Sequence, residues 1–338
     1  MDSVFDKIRE LEEIPLLSKN EQLVKGIINA IDDKILIQGS KLPSVKNMAA
    51  AINFAAKTVA KGYKDLKDKG LVESRDRLGY FVVNEDTRQV TKVALLMYAF
   101  HSFQEVFYNT FRETLGTHIQ VDVFFHHSNI GVMETILGNI KGQYGMYIVT
   151  PIPHPKTKDL LQDFPSNKLL LVDRFEKING VFSHVTQEFE RATYEALKEL
   201  KEVIMNYKKI VLFFRSNSDY PVEVKRAFEQ FIKVERLNGS VQEKYEQGSV
   251  VENTVYFTIG DGDLWKLLKD CKERNLEIGN DVGILSNNEG PVKEIICGGI
   301  TTLSTDFKLM SKKAAEFVLN RAPIKATIPT KLIRRNSL

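Results

Sequence analysis

The sequence predicts two domains of different class: an α+β winged helix-turn-helix at the N-terminus, followed by an α/β domain of two lobes with parallel sheets. Three observations predict this. Two short helical patterns precede a strand pair in residues 43–83, positive charge is concentrated there, and apolar strands alternate with helices from residue 93 onward. We place the winged domain at 1–84, a linker at 85–92 and the two-lobed domain at 93–338.

Helical spacing predicts the helix-turn-helix itself. Ser44 can accept hydrogen bonds from free first-turn amides, so a short helix is expected to begin there and to break at Asn53. The next helix, with Gly70 as its C-cap, carries apolar residues at i, i+4 and i+7 on its inner side. They are Val59, Tyr63 and Leu66. A basic strand pair at 71–74 and 80–83 is expected to form the wing, which would lie over the DNA backbone while the second helix enters the major groove.

A helix upstream of these elements completes the predicted winged domain. Ser18 and Glu21 have the spacing of a capping box, in which the serine accepts from the amide three residues later and the glutamate bonds back. The helix that they start is predicted over residues 19–33, with an apolar stripe that packs behind the other two helices.

Charge is distributed unevenly along the chain. Residues 41–80 contain nine basic and four acidic side chains, net +5, whereas the whole chain is +3. A concentrated basic patch is what the neutralisation of DNA phosphates requires. A solvated lysine face on an ordinary helix would give the same charge count, but its combination with the helix spacing and the wing favours DNA binding.

Composition is typical of a globular protein from a reducing compartment. The chain is 43% hydrophobic and 27% charged, and no apolar run approaches the ~18 residues needed to cross a bilayer. The first residues are too charged for a signal peptide. Cys271 and Cys297 are isolated, so we expect two small buried thiols rather than a disulfide or metal site. We therefore expect a cytoplasmic protein without a membrane partner.

The second domain shows a repeated strand-helix pattern. Strands are predicted at 93–97, 119–125, 146–149, 169–172, 210–214, 254–259 and 282–285, and helices at 103–115, 132–140, 189–206, 222–233 and 264–273. Continuous apolar strands suit a parallel sheet that is covered on both faces. Two consecutive halves of this kind predict two lobes, with a ligand cleft beyond the carboxyl ends of the strands.

The first domain resembles the GntR family of bacterial transcriptional regulators. The resemblance rests on Leu42-Pro43-Ser44 with Lys46, on Thr58-Val59, and on Gly79-Tyr80-Phe81. Two departures are present: Ala55-Ala56 stands where Ser-Arg is common, and Lys46 stands where Arg, the better bidentate partner, is usual. The resemblance implies a winged helix-turn-helix that binds DNA.

We expect the DNA contacts to come from the two helices and the wing. Short hydroxyls and neighbouring lysines would contact phosphates, further lysines would add backbone electrostatics, and wing arginines would reach a minor groove. The predicted residues are Ser44, Lys46, Lys57, Thr58, Lys61, Lys64, Arg75, Arg77 and Gly79. Any single lysine can equally face solvent, because the affinity for phosphates comes from the cluster.

Residues 90–330 resemble the effector domain of the LacI regulators, which is related to periplasmic sugar-binding proteins. The order and spacing of six segments carry the resemblance: 171–174, 185–189, 225–228, 260–261, 281–284 and 300–303. Gln187 departs from the Asp that is usual in that family, and Asn287-Asn288 from the usual Phe-Asp. The resemblance implies a small carbohydrate between the lobes, a monosaccharide or a sugar phosphate.

Six residues are predicted to bind this effector. They are Phe103, Asp173, Arg174, Arg226, Asp261 and Asn288. By the resemblance, Arg226 would form a fork for adjacent hydroxyls and Phe103 would stack on the sugar ring. Asp261 and Asn288, each of which follows a predicted strand, would accept from hydroxyls or bridge them. Each has a structural alternative: Asp261 can cap a helix, Arg226 can lie on a surface and Phe103 in a core. Asp173 with Arg174 can be a salt-bridged hinge.

These features predict a sugar-responsive transcription factor, in which effector binding closes the lobes and reorients the winged domains through the linker at 85–88. A homodimer would read a palindromic operator with half-site centres ~34 Å apart. No cofactor, metal or catalytic residue is predicted. The six histidines lack metal spacing, and the adjacent His126 and His127 would point to opposite faces of a strand.

Three alternatives remain open at this level. A transport binding protein would share the second domain but needs an export signal and no basic first domain. A GntR-type protein with an aminotransferase-like domain would bind pyridoxal phosphate and needs a longer chain. A sugar-processing enzyme needs paired carboxylates or a metal in the cleft, and Asp261 with Asn288 makes a poor acid/base pair.

Overall fold

The computed structural model describes residues 3–12, 17–87, 92–117, 119–178, 182–216 and 218–338. Its first part is a winged helix-turn-helix. The elements are α1 (Val4–Arg9), α2 (Lys19–Asp32), α3 (Val45–Ala51), α4 (Ala56–Asp68), β1 (Val72–Arg75) and β2 (Gly79–Val82). The two strands pair antiparallel and form the wing. Part of the predicted linker, residues 88–91, lies outside the described residues.

Serine side chains start the first three helices, of which α2 and α3 belong to the predicted motif. The Ser18 hydroxyl accepts from the Glu21 amide at 3.3 Å, and the Glu21 carboxylate accepts from the Ser18 amide at 2.9 Å. This is the predicted capping box. Ser44 caps α3, where its hydroxyl accepts from the Asn47 amide at 3.1 Å. The structure adds α1, which is capped by Ser3 and was not among the predicted elements.

One apolar core holds the winged domain together. Its α4 members are the predicted ones, Val59, Tyr63 and Leu66, and all three are fully buried. Glycine brings the helices close to one another. A Cβ at Gly62 on α4 would lie 2.6 Å from Leu23 Cδ2, and a Cβ at Gly26 on α2 would lie 2.8 Å from Ile8 Cα. Because neither approach leaves room for a methyl group, these glycines set the spacing of α1, α2 and α4.

The N lobe is built on a six-stranded parallel sheet of order β13-β7-β6-β5-β3-β4. Its first eight elements are β3 (Lys92–Met97), α5 (Ser102–Leu115), β4 (Gln120–Phe125), α6 (Ile130–Ile140), β5 (Met146–Val149), α7 (Pro155–Gln162), β6 (Leu169–Asp173) and β7 (Ser183–Gln187). Apolar clusters lie on both faces of this sheet. The central strands are therefore buried on both sides, as their unbroken apolar runs predict.

The C lobe has a six-stranded sheet of order β14-β12-β11-β10-β8-β9, in which only β14 is antiparallel. Its elements begin with α8 (Glu190–Glu199), α9 (Lys201–Ile204), β8 (Lys209–Phe213), α10 (Val222–Val234), β9 (Gly239–Gln242), β10 (Thr254–Thr258) and α11 (Asp261–Glu273). Next come β11 (Val282–Asn287), α12 (Pro291–Ile295), a 3-10 turn (Ile296–Gly298) and β12 (Thr301–Thr305). The chain ends with α13 (Phe307–Asn320), β13 (Lys325–Ile328) and β14 (Thr330–Ile333).

The lobes are not the two consecutive halves that the sequence predicted. In the described residues the chain crosses between them after β7, after β12 and after β13. Helix α13 returns to the N lobe, where Phe317 and Ala314 enter the same apolar cluster as Phe107 and Phe111 of α5. The apolar stripe of α5 needs a cover, and α13 supplies it from a distant part of the chain.

Several local predictions also needed correction. The helix predicted at 189–206 is the pair α8 and α9, joined at Leu200. Cys271 is buried as expected, and burial raises its pKa to about 11. Cys297 was expected to be buried but is exposed, because it lies in the irregular turn after α12.

No helix in the described part of the chain is long and apolar enough to cross a membrane.

Polar contacts join the winged domain to the N lobe. The Lys168 ammonium group donates to Asn29 Oδ1 at 3.1 Å, and Arg321, at the end of α13, forms an ion pair with Asp32 at the end of α2. The Asp32 carboxylate also accepts from the Thr87 hydroxyl. Its side chain is only 5% exposed, so this carboxylate depends on these donors in place of water.

Candidate nucleic-acid interface and ligand cleft

The outer side of α4 carries a row of lysines. Lys57, Lys61 and Lys64 stand at i, i+4 and i+7, and all three are exposed, as is Lys46 on α3. The ion pairs of the winged domain, among the described residues, use other cations, which are Lys7, Arg9, Lys34 and Arg75. The lysine row is therefore exposed to solvent, and its contact with DNA stays a prediction.

The N-terminus of α4 adds backbone donors beside this row. Ala55 occupies its N-cap position and has no side-chain oxygen, so first-turn amides are left for another acceptor. Partly buried Thr58 lies in that first turn. A phosphate oxygen suits such a helix start. Ser44, by contrast, already uses its hydroxyl as the cap of α3, although it is exposed.

The wing presents two arginines in different states. The Arg75 guanidinium lies over the Phe81 ring at 4.5 Å, and its Nε donates to Glu73 at 2.5 Å. Arg77 at the tip is exposed and has a left-handed backbone, with φ of 56°. Gly79 also has a positive φ, 102°, which glycine adopts without strain. Arg77 is therefore the freer of the two predicted wing contacts.

A cleft of about 390 Å³ opens between the two lobes. Residues of both sheets line it near the carboxyl ends of β3, β6, β8, β10 and β11, together with the first turns of α5 and α11. This is the position that ligands take in parallel α/β sheets, and the volume suits a small molecule. Of the six predicted effector residues, the structure brings five to this cleft: Phe103, Asp173, Arg174, Asp261 and Asn288.

The sixth, Arg226, is not brought to the cleft. It lies on the outer side of α10, where its guanidinium pairs with Glu190 at 3.0 Å and with Glu223 at 3.4 Å. The buried side of α10 is formed by Val224, Ala227, Phe228 and Phe231. Arg226 therefore follows its surface alternative in this structure, and the predicted guanidinium fork has to come from elsewhere.

Arg215, which the sequence analysis missed, provides a guanidinium in the cleft. It follows β8 directly, and one of its nitrogens donates to both carboxylate oxygens of the fully buried Asp263, at 3.0 and 3.1 Å. Its position just after a strand is a signal that could have identified it. Tyr220 lies beside it with a ring centroid 5.8 Å away. A Cβ at Gly260 would lie 1.9 Å from the Tyr220 hydroxyl, so glycine makes this approach possible.

Asp173 and Arg174 line the cleft and also tie the lobes together. Asp173 has a left-handed backbone, φ of 73°, and its carboxylate accepts from the Gln187 amide group. Arg174 lies 3.7 Å from that carboxylate and donates to the carbonyl of Asp219 in the C lobe. Burial raises the pKa of Asp173, an effect that the neighbouring Arg174 opposes. The ligand and hinge interpretations of this pair are compatible.

Aromatic groups form one wall of the cleft. Phe103 is half-buried, and its ring centroid lies 4.8 Å from that of Phe307, the first residue of α13. It thus lines the cleft and also caps the apolar core. Tyr98 also lines the cleft, with its ring centroid 6.3 Å from that of His126. An aromatic surface of this kind offers an apolar face to a sugar ring.

His126 is a buried neutral base of this wall. Its Nδ1 accepts from the Ser128 amide at 3.1 Å, so the proton lies on Nε2, which donates to the Thr150 carbonyl at 3.0 Å. Burial lowers the pKa of His126 to about 4. No group of three or more His, Cys, Asp or Glu side chains that could hold a metal ion occurs among the described residues.

Lys293 is the second cleft residue that sequence reasoning missed. It is 3% exposed, and its ammonium group lies 2.7 Å from Asp261 Oδ1, 2.6 Å from the Asn287 carbonyl and 2.8 Å from the Asn288 carbonyl. Asp261 is the first residue of α11, and Gly260 is the N-cap of that helix. The alternative role of Asp261 as a helix cap is therefore wrong. A lysine on a five-residue helix carries no sequence pattern that would have identified it.

Comparison with known proteins agrees with both halves of this description. Residues 19–82 match the sequence family described as bacterial regulatory proteins, gntR family. An HTH-type transcriptional regulator of Mycobacterium tuberculosis is 32% identical over 74 residues, which are 22% of this chain and 61% of that protein. The chain thus spans less than two thirds of this curated relative.

Solved structures match the two-lobed domain. A LacI family regulator of Lactobacillus casei with bound sucrose has a TM-score of 0.62 and 16% identity, over 73% of this chain and 99% of that chain. A periplasmic binding protein/LacI regulator of Alkaliphilus metalliredigens, complexed with D-xylulofuranose, gives 0.58 and 12%, over 73% and 98%. The trehalose repressor of Escherichia coli gives 0.61 and 15%, over 72% and 99%. At this identity the likeness establishes the fold of the two-lobed domain, which is LacI-like, while the gntR family match covers the helix-turn-helix that precedes it.

Proposed function

We propose that this protein is a sequence-specific transcriptional regulator whose affinity for DNA is set by a small carbohydrate bound between the lobes. One observation carries the proposal: a single chain joins an open basic helix-turn-helix surface to a cleft of the LacI type through helix α13. We assign residues 1–84 to DNA binding, 85–92 to the linker and 93–338 to the effector domain. A homodimer of this chain would read a palindromic operator.

Helix α13 supports control of one site by the other. It begins at Phe307, against Phe103 in the cleft wall, and ends next to Arg321, which is paired with Asp32 of α2. Its 14 residues span ~21 Å. A movement of the lobes that shifts Phe103 would be transmitted along this rigid element to the winged domain. The ligand can bias DNA binding only by its different affinity for the two arrangements, typically ~1–3 kcal/mol.

The chemistry of the cleft supports a carbohydrate effector. Aromatic rings lie beside charged and amide groups, the combination that binds the apolar face and the hydroxyls of a sugar. Two of the solved structures named above contain a sugar, which is sucrose in the Lactobacillus casei regulator and D-xylulofuranose in the Alkaliphilus metalliredigens protein. Among the carboxylates that line the cleft, Asp261 is held by Lys293 and Asp173 by Gln187 and Arg174, so neither is left as a free acid/base partner.

Two measurements on the full chain test the proposal. A thermal-shift screen of monosaccharides, disaccharides and sugar phosphates should find compounds that raise Tm, because a ligand that binds the folded state stabilises it. Fluorescence anisotropy with double-stranded DNA should show affinity that falls as salt rises. A DNA affinity that changes on adding the stabilising compound supports regulation. The proposal is overturned if no salt-sensitive affinity for double-stranded DNA is found.

A further inference from the structure

Lys293 connects two parts of the cleft that the chain keeps separate. It lies on α12 and contacts the first residue of α11, Asp261, as well as the carbonyls of Asn287 and Asn288 at the end of β11. Asn288 has a left-handed backbone with φ of 35°, which makes it a position that needs support. One buried cation therefore holds a helix start and a strand end in fixed relation.

The Asp261 side chain remains exposed although it forms an ion pair with Lys293. It is 45% exposed and lines the cleft, whereas the lysine side chain is 4% exposed. Burial lowers the pKa of Lys293, while the nearby Asp261 carboxylate opposes that change. The carboxylate thus remains able to accept from a ligand hydroxyl while its position is set from behind. The Asn287 Oδ1 atom beside it is buried and has no protein partner.

All the cationic side chains that line the cleft, among the described residues, are already matched by carboxylates. Arg174 lies against Asp173, Arg215 against Asp263 and Lys293 against Asp261. The lining includes three further carboxylates, of which Glu188 pairs with Arg191 and Glu289 with Arg335, while Asp219 has no ion pair among the described residues. A phosphate group entering this cleft would therefore meet no unmatched cation and would be repelled by the Asp219 carboxylate.

We propose that Lys293 is a positioning residue that fixes Asp261 and Asn288 for ligand hydroxyls, and that the cleft takes an uncharged polyhydroxylated ligand in preference to a phosphorylated one. This inference rests on the proposed function, because it requires the cleft to be the effector site. It adds that the ligand is uncharged and that Lys293 holds Asp261 and Asn288 in the positions that bind its hydroxyls.

The test uses the full chain and thermal shifts with D-glucose, D-xylose, L-rhamnose, L-fucose and D-glucose 6-phosphate. At least one neutral sugar should stabilise the native chain. Lys293→Met keeps the side-chain length but removes the charge. It should weaken the affinity for that sugar by at least about tenfold, because Asp261 loses its ion-pair partner. Lys266→Met on the exposed side of α11 is the matched control and should bind as the native chain does.

Asp261→Asn separates positioning from a purely structural role. It preserves an oxygen acceptor but leaves the Lys293 charge unmatched. The rise in Tm caused by D-glucose 6-phosphate should therefore increase relative to the rise caused by D-glucose. A fold defect alone would weaken both compounds together. Melting curves and DNA affinity without ligand identify any variant that fails to fold.

Each remaining outcome is decisive. Equal neutral-sugar affinity in Lys293→Met and the native chain overturns the role of Lys293, while the proposed function stands. Stabilisation of the native chain by the phosphate but by no neutral sugar overturns the electrostatic class. If no compound of the panel stabilises the native chain, the inference is rejected. In that case salt-sensitive DNA binding still tests the proposed function separately.

Discussion

The lysines of α4 and the cations of the cleft use the same kind of charge in opposite ways. Lys57, Lys61 and Lys64 are exposed, and the structure gives none of them a carboxylate within its described residues. In the cleft, Arg215 and Lys293 each lie against an acidic side chain that fixes their geometry. An unmatched charge acts at a distance on a polyanion, whereas a matched one orients neighbouring groups.

Because of this difference, DNA binding and ligand binding should depend differently on salt concentration. Binding through the lysine row should be strongly salt-dependent, because it releases counterions from DNA. Binding in the cleft should change little with salt, since its ion pairs are internal and partly buried. The following experiments test the contrast, beginning with the largest expected effect.

Neutralising the lysine row should have the largest effect on DNA affinity. The combined change Lys57→Gln, Lys61→Gln and Lys64→Gln keeps good helix formers and removes three charges. At physiological salt we expect DNA affinity to fall about a hundredfold, and the slope of log affinity against log salt to drop by up to about 2.7. Fluorescence anisotropy across a salt series measures both quantities.

A matched control removes the same charge elsewhere. Lys198, Lys266 and Lys308 are exposed lysines of the effector domain, and changing all three to Gln should leave the slope unaltered. Loss of affinity in both triple variants would mean that net charge, and not the α4 surface, drives DNA binding. The sugar-induced rise in Tm should be the same in both variants.

Protonation of His126 should destabilise the cleft wall. Its pKa is lowered from 6.5 to about 4 in the folded protein. The unfolded chain therefore binds a proton as pH falls below 6.5 while the folded chain does not, and stability is lost between pH 6.5 and 4. We expect this residue to account for about 2 to 3 kcal/mol of the loss between pH 7 and 4.5.

Urea unfolding of His126→Gln at the two pH values checks this expectation. The variant is expected to be less stable at pH 7, because the bonds to Thr150 and Ser128 are altered, but to lose less stability on acidification. His127→Gln is the control, since that neighbouring histidine is exposed. An unchanged pH dependence in His126→Gln would show that the ring is protonated in the folded state.

Local pattern made the winged domain predictable and left the connections of the two lobes unpredictable. The capping box at Ser18 and the spacing of Val59, Tyr63 and Leu66 are encoded within a few residues, and the structure has them as predicted. The position of α13 depends on the uncovered face of α5, about 200 residues earlier in the chain, and nothing local to α13 specifies it.

The cleft shows the same limit at the level of single residues. Residues at or near the carboxyl ends of strands, such as Asp173 and Asp261, could be predicted because strand ends converge on one edge of a sheet. Arg226 was assigned from resemblance, and its position on α10 turns it away from the cleft. Lys293 acts through contacts with two other elements, so only the assembled structure reveals it.

Weakening the contact between the domains should reduce communication between the two regions. Arg321→Gln removes the charge that pairs with Asp32 but keeps a hydrogen-bond donor. We expect the ligand-dependent change in DNA affinity to shrink by about 1 kcal/mol, roughly fivefold, because α13 is less firmly joined to α2. DNA titrations with and without a stabilising sugar measure it.

An exposed ion pair of the same lobe provides the control for Arg321. Lys141 pairs with Asp163 at 3.1 Å, with both side chains largely in solvent, so Lys141→Gln should leave the coupling unchanged. If Arg321→Gln retains the full ligand effect, the signal does not pass through the end of α13. The linker at 85–92 and the contact of Lys168 with Asn29 would then be the connections left to test.

The smallest expected change in free energy concerns the wing tip, where Arg77 combines an exposed charge with a strained backbone. Its φ of 56° lies in the left-handed region that glycine adopts more easily. Arg77→Gly should therefore raise the free energy of unfolding by about 0.5 kcal/mol, and it should weaken DNA binding about fivefold through loss of one positive charge at the DNA.

Arg77→Asn serves as the comparison, since asparagine also tolerates this conformation but retains a side chain. Urea unfolding and anisotropy on the three proteins separate strain from charge. Stabilisation together with weaker DNA binding would mean that the wing keeps a charged side chain at a position where stability alone favours glycine. A less stable Gly variant would mean that contacts of Arg77 outweigh the strain, and the wing tip would then resemble the paired charges of the cleft more than the open row on α4.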